Sequence, residues 1–193
     1  MALDFDLIAR STDYSIEQIN NCVKTSTPDL FLVNSFLHED LLEKILYYIH
    51  SDSIHWEFKD ENYNDARQVS FWKPDTVFEE LNMVMENITD TIEKLTNNSS
   101  LNFGSSYLWK DISPYRISKH TDRNLIKTSI QIYLSHTDSV DLSTHFMHNE
   151  QVIKPVYKTN YGYISNNLAK IEHWMTNDIP DNFKRLSLYT FWQ

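Results

Sequence analysis

The sequence predicts an α+β fold, a helical layer followed by an antiparallel β core. Apolar residues recur every three or four positions through much of the first hundred residues, and from about Asn102 the period falls to two. Clusters of Asn, Asp, Ser and Pro then separate many short apolar segments, the pattern of a sandwich or barrel. Only two glycines occur in 193 residues, Gly104 and Gly162. A Gly-rich phosphate cradle is therefore absent, and nucleotide-binding α/β folds lose their main signature.

The elements follow in order. Ser15 to Val23 is expected as a short helix with Ser15 as its N-cap, and Phe31–Val33 as a short strand. Asp40 to His50 is amphipathic, with Leu41, Leu42, Ile45 and Ile49 on one stripe. Trp56 and Val69–Trp72 read as strand pieces. A longer helix starts near Pro74, a tolerated first-turn position, and carries Phe78, Leu81, Met85, Ile88, Ile92 and Leu95 on its core face. Asn97–Ser100 ends it. Seven strands are expected beyond: Gly104–Ile112, Tyr115–His120, Thr128–Leu134, His145–Met147, Tyr161–Ser165, Glu172–Met175 and Arg185–Phe191. Residues 1–193 thus read as one domain, with 1–100 a helical and mixed support region and 101–193 the β core.

Composition narrows the function. Hydrophobic residues make up 41% and aromatic residues 13%, which suits a folded core rather than a disordered chain. The formal net charge is −10, a poor match to nucleic acid or an anionic membrane surface, both of which call for clustered positive charge. The single cysteine, Cys22, forms no internal disulfide and no zinc knuckle. No apolar run approaches the roughly 18–20 residues of a membrane span. The acidic start lacks the basic region of a secretory signal, so a cytoplasmic protein is expected, and Asn87-Ile-Thr and Asn97-Asn-Ser are discounted as glycosylation acceptors.

His120-Thr121-Asp122 is the first chemically informative motif. On a strand end, alternate residues share a face, so His120 and Asp122 can enter one cavity. One imidazole and one carboxylate are two-thirds of the facial triad that binds non-haem Fe(II); they are equally the parts of a hydrogen-bonded pair in a turn. His136-Thr137-Asp138 repeats the triplet, but in a polar segment after a strand, and is expected to be a loop. His145 and His148 flank Phe146 and are also expected in a solvated loop. His173 is the candidate distal ligand. In the final strand, alternation places Arg185, Ser187 and Tyr189 on one face and Leu186 and Leu188 on the other. A buried Arg is costly without a partner, and a planar guanidinium suits a carboxylate.

The order and spacing of these residues resemble the Fe(II)/2-oxoglutarate-dependent dioxygenase superfamily, specifically its prolyl-4-hydroxylase-like branch. His120-x-Asp122 is followed after about fifty residues by His173, and then by Arg185-x-Ser187. Ser129–Leu134 resembles the family's strand after the first ligands, Asn160–Ile164 its glycine-bearing strand before the distal His, and Phe31–Leu41 its opening strand and helix. The likeness spans about residues 29–193. No glycine pair stands at Leu142–Phe146, where the family often has one. The nucleic-acid demethylases carry a second Arg six residues after the first; this chain has Phe191 there.

The resemblance implies a double-stranded β-helix (jelly-roll, cupin-like) core with the N-terminal helices packed on one sheet. It implies Fe(II) on His120, Asp122 and His173, and 2-oxoglutarate held at its far carboxylate by Arg185, Ser187 and Tyr133. With O2 as co-substrate, a substrate C–H would be hydroxylated and succinate and CO2 released. A prolyl or other side chain of a protein or peptide is the expected substrate, with Trp109, Tyr115 and Trp174 as candidate substrate contacts. Alternatives are a hydroxylase of a free amino acid or small metabolite, a sugar-binding or isomerase cupin, and a catalytically inactive binding module. Specificity is expected in the loops at 56–72 and 136–157.

Overall fold

The computed structural model describes residues 2–27, 29–51, 54–58, 66–70, 77–122 and 125–193. Helix α1 (Phe5–Asn20) leads into β1 (Val23–Lys24), β2 (Leu30–Val33) and helix α2 (Glu39–Ile49). Strands β3 (Glu57–Phe58) and β4 (Arg67–Ser70) precede helices α3 (Val77–Asn87) and α4 (Thr89–Thr96). The remaining strands are β5 (Phe103–Ile112), β6 (Thr128–Tyr133), β7 (His145–His148), β8 (Gln151–Ile153), β9 (Gly162–Asn166), β10 (Glu172–Trp174) and β11 (Lys184–Trp192). They form an eight-stranded sheet in the order β1-β2-β9-β6-β11-β5-β4-β3 and a three-stranded sheet β10-β7-β8. All pairings are antiparallel.

The period-two pattern of the β core sorts side chains between two environments. Leu186, Leu188 and Trp192 of β11 join Leu108, Ile130, Ile132 and Ile164 on one face of the large sheet. The helices close this face with Leu7, Ile19, Leu41, Ile45, Phe78, Leu81, Val84, Met85 and Ile92. Burial of each such side chain stabilises the fold by about 1.5–3 kcal/mol. The opposite face receives the small sheet: Phe146 of β7 packs edge-on against Tyr163 of β9, ring centroids 4.6 Å apart, in a buried cluster with Leu30. Two antiparallel sheets packed in this way, with helices outside the larger one, are the expected jelly-roll.

Several expectations about elements are corrected. The first helix begins at Phe5, not Ser15: Asp4 caps it by accepting the Leu7 N–H at 2.9 Å. Ser15 is a fully buried interior residue whose hydroxyl donates to the carbonyl of Phe36. The expected strand Tyr115–His120 is absent; Pro114 lacks an N–H to continue the ladder, Tyr115 N–H turns back to the Ile112 carbonyl, and only His120 makes a β-bridge. The longer helix divides into α3 and α4 around Ile88, and residues 71–76, including Phe71, Trp72 and Pro74, lie outside the described residues. Asn97 closes α4 in the left-handed conformation, φ 53°. Strand β8 carries no apolar alternation of its own and was not expected.

Two polar residues fix how the layers meet. Glu80 of α3 is 1% exposed, accepts from Asp4 N–H at 3.1 Å and from Lys44 Nζ at 2.9 and 3.0 Å, and so ties three helices together. Asn160, just before β9, sits at φ 67°. Its side chain accepts from Leu37 N–H and donates to the Leu37 carbonyl, both at 2.8 Å, while its own N–H donates to the Tyr133 carbonyl. Replacing Asn160 with alanine leaves both Leu37 groups unpaired and places a Cβ residue without a polar side chain in the left-handed region. The expected loss is about 2–4 kcal/mol in urea unfolding with the denaturant slope unchanged.

Candidate metal centre and cleft

His120, Asp122 and His173 converge although the outer two lie 53 positions apart in the chain. The backbone does this directly: His120 and His173 form an isolated antiparallel bridge, with N–H to carbonyl bonds of 3.0 and 2.8 Å. Their rings lie 4.3 Å apart. Asp122 Oδ1 is 3.6 Å from His173 Nε2 and 4.0 Å from His120 Nε2. The three ligand atoms lie within 4.8 Å of one another, and no other group of three metal-ligating residues occurs among the described residues.

The remaining ring nitrogens settle the tautomers. His120 Nδ1 lies 2.7 Å from the Ser118 carbonyl and His173 Nδ1 lies 3.2 Å from the Ile171 carbonyl. A carbonyl can only accept, so each Nδ1 donates its proton there, and each Nε2 is left on the side of Asp122, where a metal would bind. Burial pushes the His173 pKa below its ordinary 6.5, against the pull of Asp122, and keeps the ring neutral. Two imidazole Nε2 atoms and one carboxylate on one side of an open cleft are a donor set that fits Fe(II).

The second triplet stays apart, as expected. His136 Nε2 is 3.0 Å from Asp138, on an exposed turn without a third ligand, with the Asp138 side chain 96% exposed. His145 contacts Asp141 at 3.4 Å, but that carboxylate is taken by Lys154 Nζ at 2.8 Å and by Ser143. Burial would raise the Asp141 pKa; these hydrogen bonds outweigh it and hold the carboxyl well below the usual range. His145 and His148 lie on β7 rather than in a loop.

The three candidate ligands line a cleft of about 830 Å³ between the sheets. Six aromatic side chains contribute to its lining: Tyr107 and Trp109 of β5, Tyr115, Tyr163 of β9, and Tyr189 and Phe191 of β11. The strand residues among them share the parity that faces away from the helices. Tyr107 and Phe191 lie 5.7 Å apart. Trp109 and Tyr115 are thus cleft residues, while Trp174 does not line the cleft: next to inward-facing His173 it faces His145 on the other side of β10, at 5.8 Å.

Arg185, Tyr133 and Ser187 are brought together beyond the cleft. Arg185 is fully buried and its guanidinium lies 5.3 Å from the Tyr133 ring. Its Nε donates to the Leu142 carbonyl at 2.9 Å, Nη2 to Thr144 Oγ1 at 3.3 Å, and Nη1 to Asp111 Oδ2 at 2.8 Å. Tyr133 accepts from Thr144 N–H at 2.8 Å; burial raises its pKa and keeps the hydroxyl protonated. Ser187 accepts from Gln131 Nε2 at 2.9 Å, and Gln131 Oε1 in turn accepts from Tyr163 at 2.5 Å. A cation, a tyrosyl hydroxyl and a threonine hydroxyl are the donor types a carboxylate needs, so the residues fit the far end of 2-oxoglutarate, with Asp111 as an internal carboxylate already present.

Sequence reasoning missed Asp111 and Arg67. Arg67 Nε and Nη2 bind Asp111 at 2.6 and 3.0 Å, and its guanidinium is held between the rings of Trp109 (4.6 Å) and Tyr115 (4.5 Å). Asp111 shares parity with Tyr107 and Trp109, a signal that was legible. Arg67 carried none.

No protein-family model matches the sequence, and no curated protein matches it. Solved structures match the fold. A Pseudomonas putida prolyl-4-hydroxylase is 13% identical, with a TM-score of 0.69 over 93% of this chain and 98% of that one. A Trichoplax adhaerens prolyl hydroxylase, in complex with a hypoxia inducible factor oxygen degradation domain peptide fragment, is 10% identical, with a TM-score of 0.68 over 100% and 94%. HygX from Streptomyces hygroscopicus, with nickel, 2-oxoglutarate and hygromycin B bound, is 10% identical, with a TM-score of 0.67 over 91% and 86%. The chain therefore has the fold of the 2-oxoglutarate Fe(II) oxygenases. Within that class its similarity extends to prolyl hydroxylases, with a His-Asp-His cluster at the mouth of the cleft. No helix among the described residues is long and apolar enough to cross a membrane.

Proposed function

We propose that residues 1–193 form an Fe(II)- and 2-oxoglutarate-dependent dioxygenase that hydroxylates a C–H bond of a protein or peptide side chain, with proline first. The observation that carries this is the convergence of two imidazole Nε2 atoms and one carboxylate on a cleft in this fold. With iron, oxoglutarate and O2 bound, the centre supplies an oxidant that inserts one oxygen atom into the C–H bond, while the other enters succinate as CO2 leaves. His120, Asp122 and His173 would hold the metal from one side and leave the cleft side open. Arg185, Tyr133 and Ser187 would hold the far carboxylate, Arg185 by charge and Tyr133 by its protonated hydroxyl. The aromatic lining displaces water and offers flat apolar surfaces to a substrate ring or chain, with Trp109 and Tyr115 nearest the Arg67 side. The peptide-bound Trichoplax neighbour supports a peptide substrate.

A second reading, a binding module without turnover, is favoured by one observation: Arg185 already holds a carboxylate, that of Asp111. One experiment separates the two. Fe(II) and then 2-oxoglutarate are added without oxygen, and the weak visible charge-transfer band of the chelated complex is followed. The enzyme reading expects the band in wild type, its loss in His120→Ala, and a much higher oxoglutarate requirement in Arg185→Ala. Iron binding with no band overturns it.

A further inference from the structure

The register places three charged side chains in one row across three strands. Asp111 of β5 stands opposite Arg185 of β11 on one side and opposite Arg67 of β4 on the other. Cross-strand partners of this kind lie close enough for side-chain contact. Asp111 and Arg185 are fully buried, and the Arg67 side chain is 12% exposed at the cleft.

The two bonds to Asp111 are unequal. Arg67 grips both carboxylate oxygens, Nε to Oδ1 at 2.6 Å and Nη2 to Oδ2 at 3.0 Å. Arg185 reaches only Oδ2, through Nη1 at 2.8 Å, on the oxygen it shares with Arg67; its other bonds go to neutral acceptors, Leu142 and Thr144. A two-bond fork is the stronger and more directional contact.

We infer that Asp111 is a built-in competitor for the far carboxylate of 2-oxoglutarate at Arg185, and that Arg67 retains Asp111 when the cosubstrate displaces it. This rests on the oxygenase reading above and assigns a further role to two residues of that site. When Arg185 exchanges its single bond to Asp111 for a cosubstrate carboxylate, Asp111 keeps its fork to Arg67, so no buried carboxylate is stranded. Arg185 without any carboxylate would be a lone buried cation, so the exchange favours an anionic ligand over water or a neutral one. Apparent cosubstrate affinity then scales with the fraction of protein in which Arg185 is released.

The test uses the full chain with Fe(II) and no oxygen, and reads the 2-oxoglutarate dissociation constant from the charge-transfer band and from calorimetry. Asp111→Asn removes the competing charge and is expected to tighten binding by roughly tenfold. Arg67→Gln takes away the fork, leaves Asp111 wholly to Arg185 and is expected to weaken binding by roughly tenfold. Opposite signs mark competition; were Asp111 only a brace for Arg185, both changes would weaken binding. Two shifts in the same direction, or none, overturn the inference. Should Asp111→Asn fail to fold, the smaller neutral change Asp111→Ser takes its place: tighter binding supports the inference, and unchanged or weaker binding overturns it. Wild-type protein that holds iron but takes no oxoglutarate overturns the oxygenase reading itself, before any variant is made.

Discussion

Replacing His173 with alanine is expected to weaken Fe(II) binding by at least about a thousandfold, well past the 10–100-fold that loss of a supporting hydrogen bond typically costs. The ring is nearly buried, its Nδ1 proton is committed to the Ile171 carbonyl, and its Nε2 faces Asp122 at 3.6 Å. What remains is His120 and Asp122, 4.0 Å apart and partly exposed, a pair without a third donor. The fold itself survives, because His173 joins β7 and the His120 segment through its backbone, which alanine keeps. Calorimetric titration with Fe(II) under anaerobic conditions, or with Mn(II) followed by its resonance spectrum, reads the loss. His136→Ala is the matched control. It removes the imidazole of the identical triplet, yet that pair lies on an exposed turn, and metal affinity is expected to stay at the wild-type value. Equal losses in the two variants would show that the metal sits elsewhere.

Gly162→Ala is expected to destabilise the protein by about 3 kcal/mol or more. Its φ is negative, so the reason is space rather than backbone conformation. A Cβ there would overlap the carbonyl oxygen of Gln131 and lie 2.8 Å from its carbon and 3.0 Å from Ile132 Cα. These are backbone atoms of β6, the strand paired with β9, and they cannot turn aside. Relief requires β6 and β9 to separate, which would also pull Tyr163 from Gln131. Gly104→Ala is the contrast. Its Cβ would meet the Phe191 ring, a side chain at the end of the ladder and partly exposed in the cleft, so a cost under about 1 kcal/mol is expected. Thermal and urea unfolding of the two variants, read side by side, check both values.

The change of hydrophobic period near Asn102 marked the boundary between helices and β core, because side-chain period follows directly from backbone geometry. The same rule put Arg185, Ser187 and Tyr189 on the face opposite Leu186 and Leu188, and the structure has that division. The two triplets, His120-Thr-Asp122 and His136-Thr-Asp138, differ in their neighbours along the chain, and among the described residues the first has a third candidate ligand beside it.

Local signals failed where a distant partner decided the outcome. Ser15 has the chemistry of an N-cap, but its hydroxyl is spent on Phe36 inside a helix that Asp4 starts. Tyr115–His120 had strand-like composition, and Pro114 interrupted the ladder that would have made it one. The row Arg67–Asp111–Arg185 joins residues 44 and 74 positions apart, and sequence spacing says nothing about which of them face one another. The class of most elements, the face of each strand residue and the candidate ligand types follow from the chain alone. Strand order and register, and with them the internal carboxylate at Arg185, come from the assembled sheets, because hydrogen-bonded ladders between distant segments set which side chains become neighbours.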